Sequence, residues 1–384
     1  MERKAFLSCV AGGLATLSVT PFAHAQSTVT LYGELDDALA YYNNVGNGSL
    51  VEMQGADMTA NKWGLSGKED LGGGLRAIFK LEDGSNVNNG KLGQGGRLFG
   101  KQAWVGLDSS KLGQLALGRQ YDTTVDLVQG MTGDVYSPAF STPGDADNND
   151  SKFRLQNAAK YTSPEFGGFR LEAMCGLGGV SGSFSSQGSS SAALAYEHGG
   201  FSAAAGYIFA KNDGPGGAGT ADQTQNNSVT PLYGSVPFVG SRMIVHVAAQ
   251  YEFSGWTANV RYSNAKWKPY AAYSAFNQTE TFDTGAATLS YLIMPSLQLE
   301  AGYTYTRSSG ASSATYNNAA AGAEYFLSMR TTLYAIGAYS HAHGTTFSQD
   351  GNSIVPAGGT VGDLASSSST PNQVILIFGL TTKF

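Results

Sequence analysis

The 384-residue chain holds only two cysteines, five histidines and eleven prolines, and only 14% of its residues carry a charge. Cys9 sits in an apolar N-terminal run, so Cys175 alone belongs to the remainder, and one thiol excludes an internal disulfide. No later segment offers roughly 18 consecutive apolar residues, which excludes a helical membrane span. Positive charge is scarce, with 23 basic against 29 acidic residues. That balance excludes the basic footprint of a nucleic-acid binder. The spacings H-E-x-x-H, C-x-x-C and G-x-S-x-G and the phosphate-cradling P-loop are all missing, so no catalytic residue, metal or cofactor is expected. Asp145 to Asp150 begins like a calcium loop, but its sixth position is Asp150 rather than Gly and its twelfth is Gln156 rather than Glu. His341 and His343 lie two apart on a strand rim with no third ligand in sight.

Gly, Tyr and Phe are plentiful, at 51, 20 and 19 residues. So many aromatics with so few charges argue against disorder. High Gly and Tyr without a helical span point to many strands and many turns. At the start, Arg3 and Lys4 precede the uncharged run Ala5 to Val19, and Ala23-His24-Ala25 forms a small-residue cleavage site. This pattern predicts a secretory signal peptide over 1–25. The remainder, 26–384, then carries a formal charge of −7 and reads as one domain without a linker.

That domain alternates apolar and polar residues in stretches of about ten, separated by Gly, Asn, Ser and Asp. In Ser296 to Arg307, Leu297, Leu299, Ala301, Tyr303 and Tyr305 share one face, while Gln298, Glu300, Thr304 and Thr306 share the other. Leu75 to Glu82 and Phe169 to Leu177 alternate likewise, and the second places Cys175 on its apolar face as a small buried hydrophobe. Soluble sandwiches also alternate. Full charges at successive inward positions instead suit a water-filled lumen. Short and long connections take turns, giving strands near 28–42, 60–70, 74–83, 97–108, 113–120, 152–163, 168–177, 191–198, 201–210, 242–253, 256–265, 281–293, 296–307, 315–327, 329–341 and 373–384. An even set of sixteen, with both ends on the short-turn side, predicts an all-β, antiparallel transmembrane barrel. Lys211 to Asn227 and the serine run Ser366–Ser369 read as outer loops. Tyr41, Tyr42, Trp63, Trp104, Tyr161, Trp256 and Trp267 fall near strand ends, as an interfacial girdle would.

The final strand, Val374 to Phe384, ends on a bare aromatic, as suits a strand that closes a ring onto the first. Together with Val29-Thr30-Leu31-Tyr32-Gly33, Trp63-Gly64-Leu65, Glu69-Asp70-Leu71-Gly72-Gly73-Gly74-Leu75, Gln102-Ala103-Trp104-Val105-Gly106-Leu107, Leu117-Gly118-Arg119-Gln120 and Lys160 to Phe169, it gives an ordered set spanning the chain. In these motifs the chain resembles the Gram-negative general-diffusion porins, specifically the β-proteobacterial trimeric family. The resemblance implies a sixteen-stranded barrel in the bacterial outer membrane, a homotrimer and passive diffusion of ions and small hydrophilic solutes. It also implies a third loop folded into the lumen, and a terminal strand with Phe384 read by the barrel-assembly machinery.

By position that loop is Tyr121 to Asp150. Its acidic candidates are Asp122, Asp126 and Asp134, with Asp145, Asp147 and Asp150 in its exit, and Asp122 to Val128 has weak helical spacing. On the facing wall the resemblance points to Lys62, Lys101 and Arg154. Parity places Lys62 opposite Trp63 and Leu65, hence inward. Parity likewise sets Arg154, Gln156 and Lys160 against Phe153, Leu155, Ala159 and Tyr161, and it leaves Lys101 unassigned. Arg76 and Lys80 are further lumen candidates. The family often carries arginine where Lys62 and Lys101 stand, so a stacked-guanidinium ladder is not expected. Arg119 shares parity with Leu115 and Leu117 and faces outward. An arginine in lipid would cost about 2–4 kcal/mol, so a protomer contact is expected there. An outer-membrane hydrolase would need Ser and His grouped on lipid-facing positions, which His246 and Ser290 do not offer. A substrate-specific channel or a surface adhesin stays open.

Overall fold

The computed structural model describes residues 27–183, 185–211, 239–269, 275–348, 352–364 and 368–384. The expected leader, most of the loop near 211–241 and part of the serine run lie outside these residues. Strands run β1 Thr28–Val45, β2 Gly48–Gln54, β3 Lys62–Gly72, β4 Leu75–Gly84, β5 Gln102–Ser109, β6 Gly113–Gln120, β7 Leu155–Thr162, β8 Phe169–Gly176 and β9 Ser189–His198. They continue as β10 Phe201–Lys211, β11 Val239–Phe253, β12 Trp256–Pro269, β13 Glu280–Met294, β14 Leu297–Ser309, β15 Ser313–Phe326, β16 Thr331–Phe347, β17 Ile354–Pro356 and β18 Asn372–Lys383. Among the described residues sixteen of these form one closed antiparallel wall. The short β17 hangs on the end of β16.

The other extra strand corrects the expected loop near 43–58. That stretch is a hairpin with a tight turn at Gly46-Asn47, and β2 pairs with the distal half of β1. β3 pairs with the proximal half of the same edge, Thr28 to Glu34. Between them, residues 55–61 leave the sheet.

Alternation sorts the wall as lipid demands. On β14, Leu299, Tyr303 and Tyr305 are exposed outward while Glu300, Thr304 and Thr306 are buried inward. Cys175 is exposed, not buried, because its apolar face is the outer one. Two further expectations fail for one reason: the upper lumen is packed with protein. Phe153 and Leu155 join an internal apolar cluster with Ile208, Ile244, Trp267 and Phe282. The left-handed Asn157 (φ +50°) breaks the alternation that had placed them outside. Tyr42 and Trp267 likewise point inward, almost wholly covered, and the Trp104 indole donates to Gln102. Tyr41, Tyr161 and Trp256 remain on the outer surface.

Closure joins β1 to β18 from Glu34↔Lys383 to Tyr42↔Ile375. Phe384 extends the ladder, exchanging both main-chain hydrogen bonds with Gly33 at 3.0 and 3.1 Å. A Cβ on residue 33 would lie 2.2 Å from the Phe384 ring, so the ring rests on a position only glycine leaves open. Gly33→Val is expected to displace the ring and lower barrel stability by about 1–3 kcal/mol, the usual cost of overpacking. The urea midpoint of the refolded barrel in detergent checks this.

Candidate constriction site

Residues 121–154 connect β6 to β7 through the lumen. Asp122 caps the helix α1 (Thr123–Leu127), accepting from the Thr124 N–H at 2.8 Å and the Val125 N–H at 3.3 Å. Satisfying orphan N–H groups in this way lets a five-residue helix persist. Beyond it come single 3₁₀ turns at Gln129–Met131, Gly133–Val135, Pro138–Phe140 and Pro143–Asp145. The segment bonds lumen-facing side chains around the wall. Thr123 N–H donates to Ser191 on β9 (3.1 Å), Tyr136 pairs with Ser290 on β13 (2.8 Å), and Thr304 on β14 donates to the Phe140 carbonyl (3.1 Å). At its exit Asp147 forms a buried ion pair with Arg261 on β12 at 2.9 Å, with Ser263 and Thr142 also donating to it. His246 reaches the Asp147 carbonyl at 2.7 Å. Burial would raise Asp147; Arg261 and His246 outweigh it and hold the carboxyl below its ordinary value.

The calcium-loop resemblance of 145–150 ends here. Asp145 accepts the N–H groups of Asp150 and Lys152, Asp147 is spent on Arg261, and Asn148 bonds Asp122 and the Phe153 N–H.

Two further segments enter the lumen. Residues 55–61 receive a hydrogen bond from Ser137 to the Asp57 carbonyl at 2.6 Å. Residues 357–364 clasp the third loop by main-chain bonds, Gly144 N–H to Gly362 (2.6 Å) and Asp363 N–H to Pro138 (3.1 Å). Gly362, at φ +45°, has no room for a Cβ, which would fall 1.9 Å from the Pro138 oxygen. The Lys152–Asp363 ion pair at 2.8 Å reinforces the clasp.

Where these segments meet the wall lies a cavity of about 1080 Å³. Lys62, Lys101 and Arg154 all line it, as does Asp134. Lys62 stands opposite Glu34 in the β1–β3 register and pairs with it at 3.1 Å. Arg154 stacks over Tyr121, its Cζ 4.9 Å from the ring centre. Burial, with the Arg154 guanidinium adding to it, pulls Lys101 below its ordinary value. Burial alone would raise Tyr121, but Lys101 and Arg154 bring the phenol down. Lys80 pairs with Glu82 at 3.4 Å, and Arg76 pairs with Asp108.

The other two acidic candidates stand elsewhere. Asp122 is fully buried, its carboxylate consumed by the helix cap and by Asn148. Asp126 pairs with Lys160 and faces a separate small pocket with Glu165, Arg170 and Glu197. Asp150, expected in the loop exit, lines the main cavity too, and so do Glu34, Tyr121, Lys152 and Asp363, which sequence reasoning did not single out for the site. Burial raises Asp134, Asp150 and Asp363 above the ordinary carboxylate range, and neighbouring carboxylates add to the rise. Arg119 is only 8% exposed within this single chain. It pairs in register with Ala103 on the outer face and donates from Nε to the Gly100 carbonyl at 2.7 Å. The segment before β5 therefore removes, within the protomer, the lipid exposure that had motivated a subunit contact.

The profile of a family described as Gram-negative porin matches residues 11–345. An outer membrane porin protein of Bordetella pertussis is 34% identical over 166 residues, 39% of this chain and 42% of that protein, so the match spans less than half of that relative. Major outer membrane protein P.IB of Neisseria gonorrhoeae is 28% identical over 330 residues, covering 83% of this chain and 89% of the relative. The solved structure of an anion-selective porin from Comamonas acidovorans superposes with a TM-score of 0.71 at 20% identity, covering 94% of this chain and 100% of that one.

Asp147→Ala would leave the Arg261 guanidinium buried and uncompensated, a loss of about 3–5 kcal/mol. The third loop is expected to loosen at its exit, read as faster protease cleavage within 140–154 while the wall stays intact.

Proposed function

Since the chain belongs to the Gram-negative porin family, whose members are outer-membrane proteins, we propose that its barrel is a water-filled channel through which ions and small hydrophilic solutes diffuse passively, with no chemical step. The observation that carries this reading is the shared cavity, in which Lys62, Lys101 and Arg154 meet Asp134, Asp150 and Asp363 inside a closed wall. Charges of opposite sign facing one gap set up a transverse field. Over roughly 10 Å, about one Debye length at physiological salt, screening is partial. Water and polar solutes orient in that field. An apolar solute would displace oriented water without replacing its hydrogen bonds.

The channel prefers anions. Six basic residues line the cavity against five acidic ones, and burial pushes Asp134 up to about 7, so its charge is only partly present near neutrality. The Comamonas acidovorans porin that shares this fold is anion-selective. The leader 1–25 is removed on export, three copies assemble, and the Phe384 strand is the segment that the assembly machinery and the closing β1 read. Outer-membrane lipid surrounds the apolar face.

Three measurements on one planar-bilayer preparation under a salt gradient test this. Wild type is expected to give a reversal potential on the anion side, and a cation-side value overturns the preference. Replacing Lys62 and Arg154 together with glutamine should move it toward cations, whereas Glu34→Gln should move it further toward anions by unmasking Lys62. Acidification supplies the third. Carboxyls with raised pKa values take up protons early as pH falls, so the loop side loses negative charge while the lysines and Arg154 keep theirs. Anion preference should grow between pH 8 and pH 5.5.

A further inference from the structure

A buried pair of carboxyls lies beside the site above rather than in it. Asp36 on β1 and Asp57 in the 55–61 segment are 1% and 0% exposed. The Asp57 N–H donates to Asp36 Oδ1 at 2.8 Å, and the Tyr334 hydroxyl on β16 donates to the same oxygen at 3.0 Å. Asn61 binds the Asp36 main chain on both sides, at 2.6 and 2.9 Å. Asp36 is thus the anion around which the segment turns. Asp57 lies against it and receives the Gln54 amide. The Oδ2 atoms of both carboxyls have no hydrogen-bond partner among the described residues.

The charged neighbours all make two negative charges here worse, and the remaining titratable groups are neutral phenols, of which Tyr334 supports only the Asp36 carboxylate through its hydrogen bond. β1 contributes Asp37 and Tyr42, β2 contributes Glu52, and β16 contributes Tyr334. From the third loop comes the Ser137 hydroxyl, and from 357–364 the Leu364 carbonyl, which accepts from Gln54 at 3.2 Å. None of these groups is a cation. Two adjacent buried carboxylates cannot both stay ionised without one.

We propose that Asp57 is a positioning residue of the pore: a proton held on the Asp36–Asp57 pair keeps residues 55–61 folded into the lumen, and its loss at alkaline pH drives the segment off the constriction. The segment is part of the passage itself, for Gly55, Ala56, Met58, Thr59 and Ala60 line the same cavity as Lys62 and Arg154. When the Asp57 carboxyl gives its proton to solvent, the new carboxylate faces the Asp36 anion. Relief comes by moving residue 57 away, which breaks the Asp57–Asp36 and Ser137–Asp57 bonds together. No other covalent or redox change is involved.

This inference rests on the channel reading. A preparation that conducts at no pH fails that reading, whereas channels that conduct without the behaviour below fail only this inference. The experiment is single-channel conductance from pH 6.5 to 9.5 for wild type and Asp57→Asn, a neutral side chain of the same shape. Burial, with Asp36 adding to it, pushes Asp57 up to about 8, so wild type should show a conductance increase centred near pH 8. Asp57→Asn should stay at the low-pH level throughout. Lys101 and Tyr121 are common to both channels, so the difference between the two curves reads the pair. A flat wild-type curve, or a step that survives in Asp57→Asn, overturns the proposal. So does a conductance increase produced at neutral pH by EDTA, which would place a metal ion rather than a proton between the carboxyls.

Discussion

The structure depends on the need to leave no sheet edge unpaired where there is no water to hydrate it. In hydrocarbon each orphan N–H or C=O costs several kcal/mol, so the strand that begins the wall must find the strand that ends it. Here the seam is set by side chains as well as by the ladder. Glu34 stands opposite Lys62 on one side and Lys383 on the other, and it forms ion pairs with both. Because side-chain direction alternates, a one-residue slip of β18 would turn Lys383 away from Glu34 and lift the Phe384 ring from Gly33. Register at the seam and charge at the constriction are therefore fixed by overlapping residues.

A closed ring of this size leaves an interior that must be filled, narrowed or left wet. This chain narrows it with three segments of different origin: an excursion between β2 and β3, the long connection after β6, and the return before β18. They hold one another through Ser137, Gly362 and Lys152. The wall holds the longest of them through hydroxyls and the Arg261–Asp147 pair. The upper lumen consequently carries an apolar lining of its own, with Tyr136, Phe140, Ile336, Ile375 and Ile377 packed together.

That double covering explains what could and could not be read from residues alone. β14 shows period two plainly because one face meets lipid and the other meets water. The stretch Val374 to Phe378 is apolar throughout, since lipid covers Leu376 and Phe378 while the inward segments cover Ile375 and Ile377. Phe153 and Leu155 misled for the same reason, compounded by one left-handed asparagine that parity cannot foresee. Lys62 was legible because a short regular strand carries it. Asp122 and Asp126 were not, because in an irregular loop a carboxylate can serve as a cap, a wall contact or a lumen charge, and only the fold decides. The hairpin at Gly46-Asn47 was hidden by its length. A tight turn followed by an excursion has the composition of one long loop.

The same logic accounts for carboxylates buried within a basic wall. A row of unpaired ammonium groups in a partly dry cleft would lose protons or repel its way open, since desolvation and like charge both disfavour the charged form. Lys101, held below its ordinary value, feels that pressure. Glu34 and Glu82, each anchored to a lysine and nearly covered, offset the repulsion between Lys62 and Lys80 with ion pairs. The acidic side uses the opposite device. Its carboxyls outnumber the cations beside them, and burial lets some of them keep their protons. The field across the gap is thus limited on one side by ion pairing and on the other by protonation. As pH falls the second of these limits tightens, so acidity acts on the loop and the last connection.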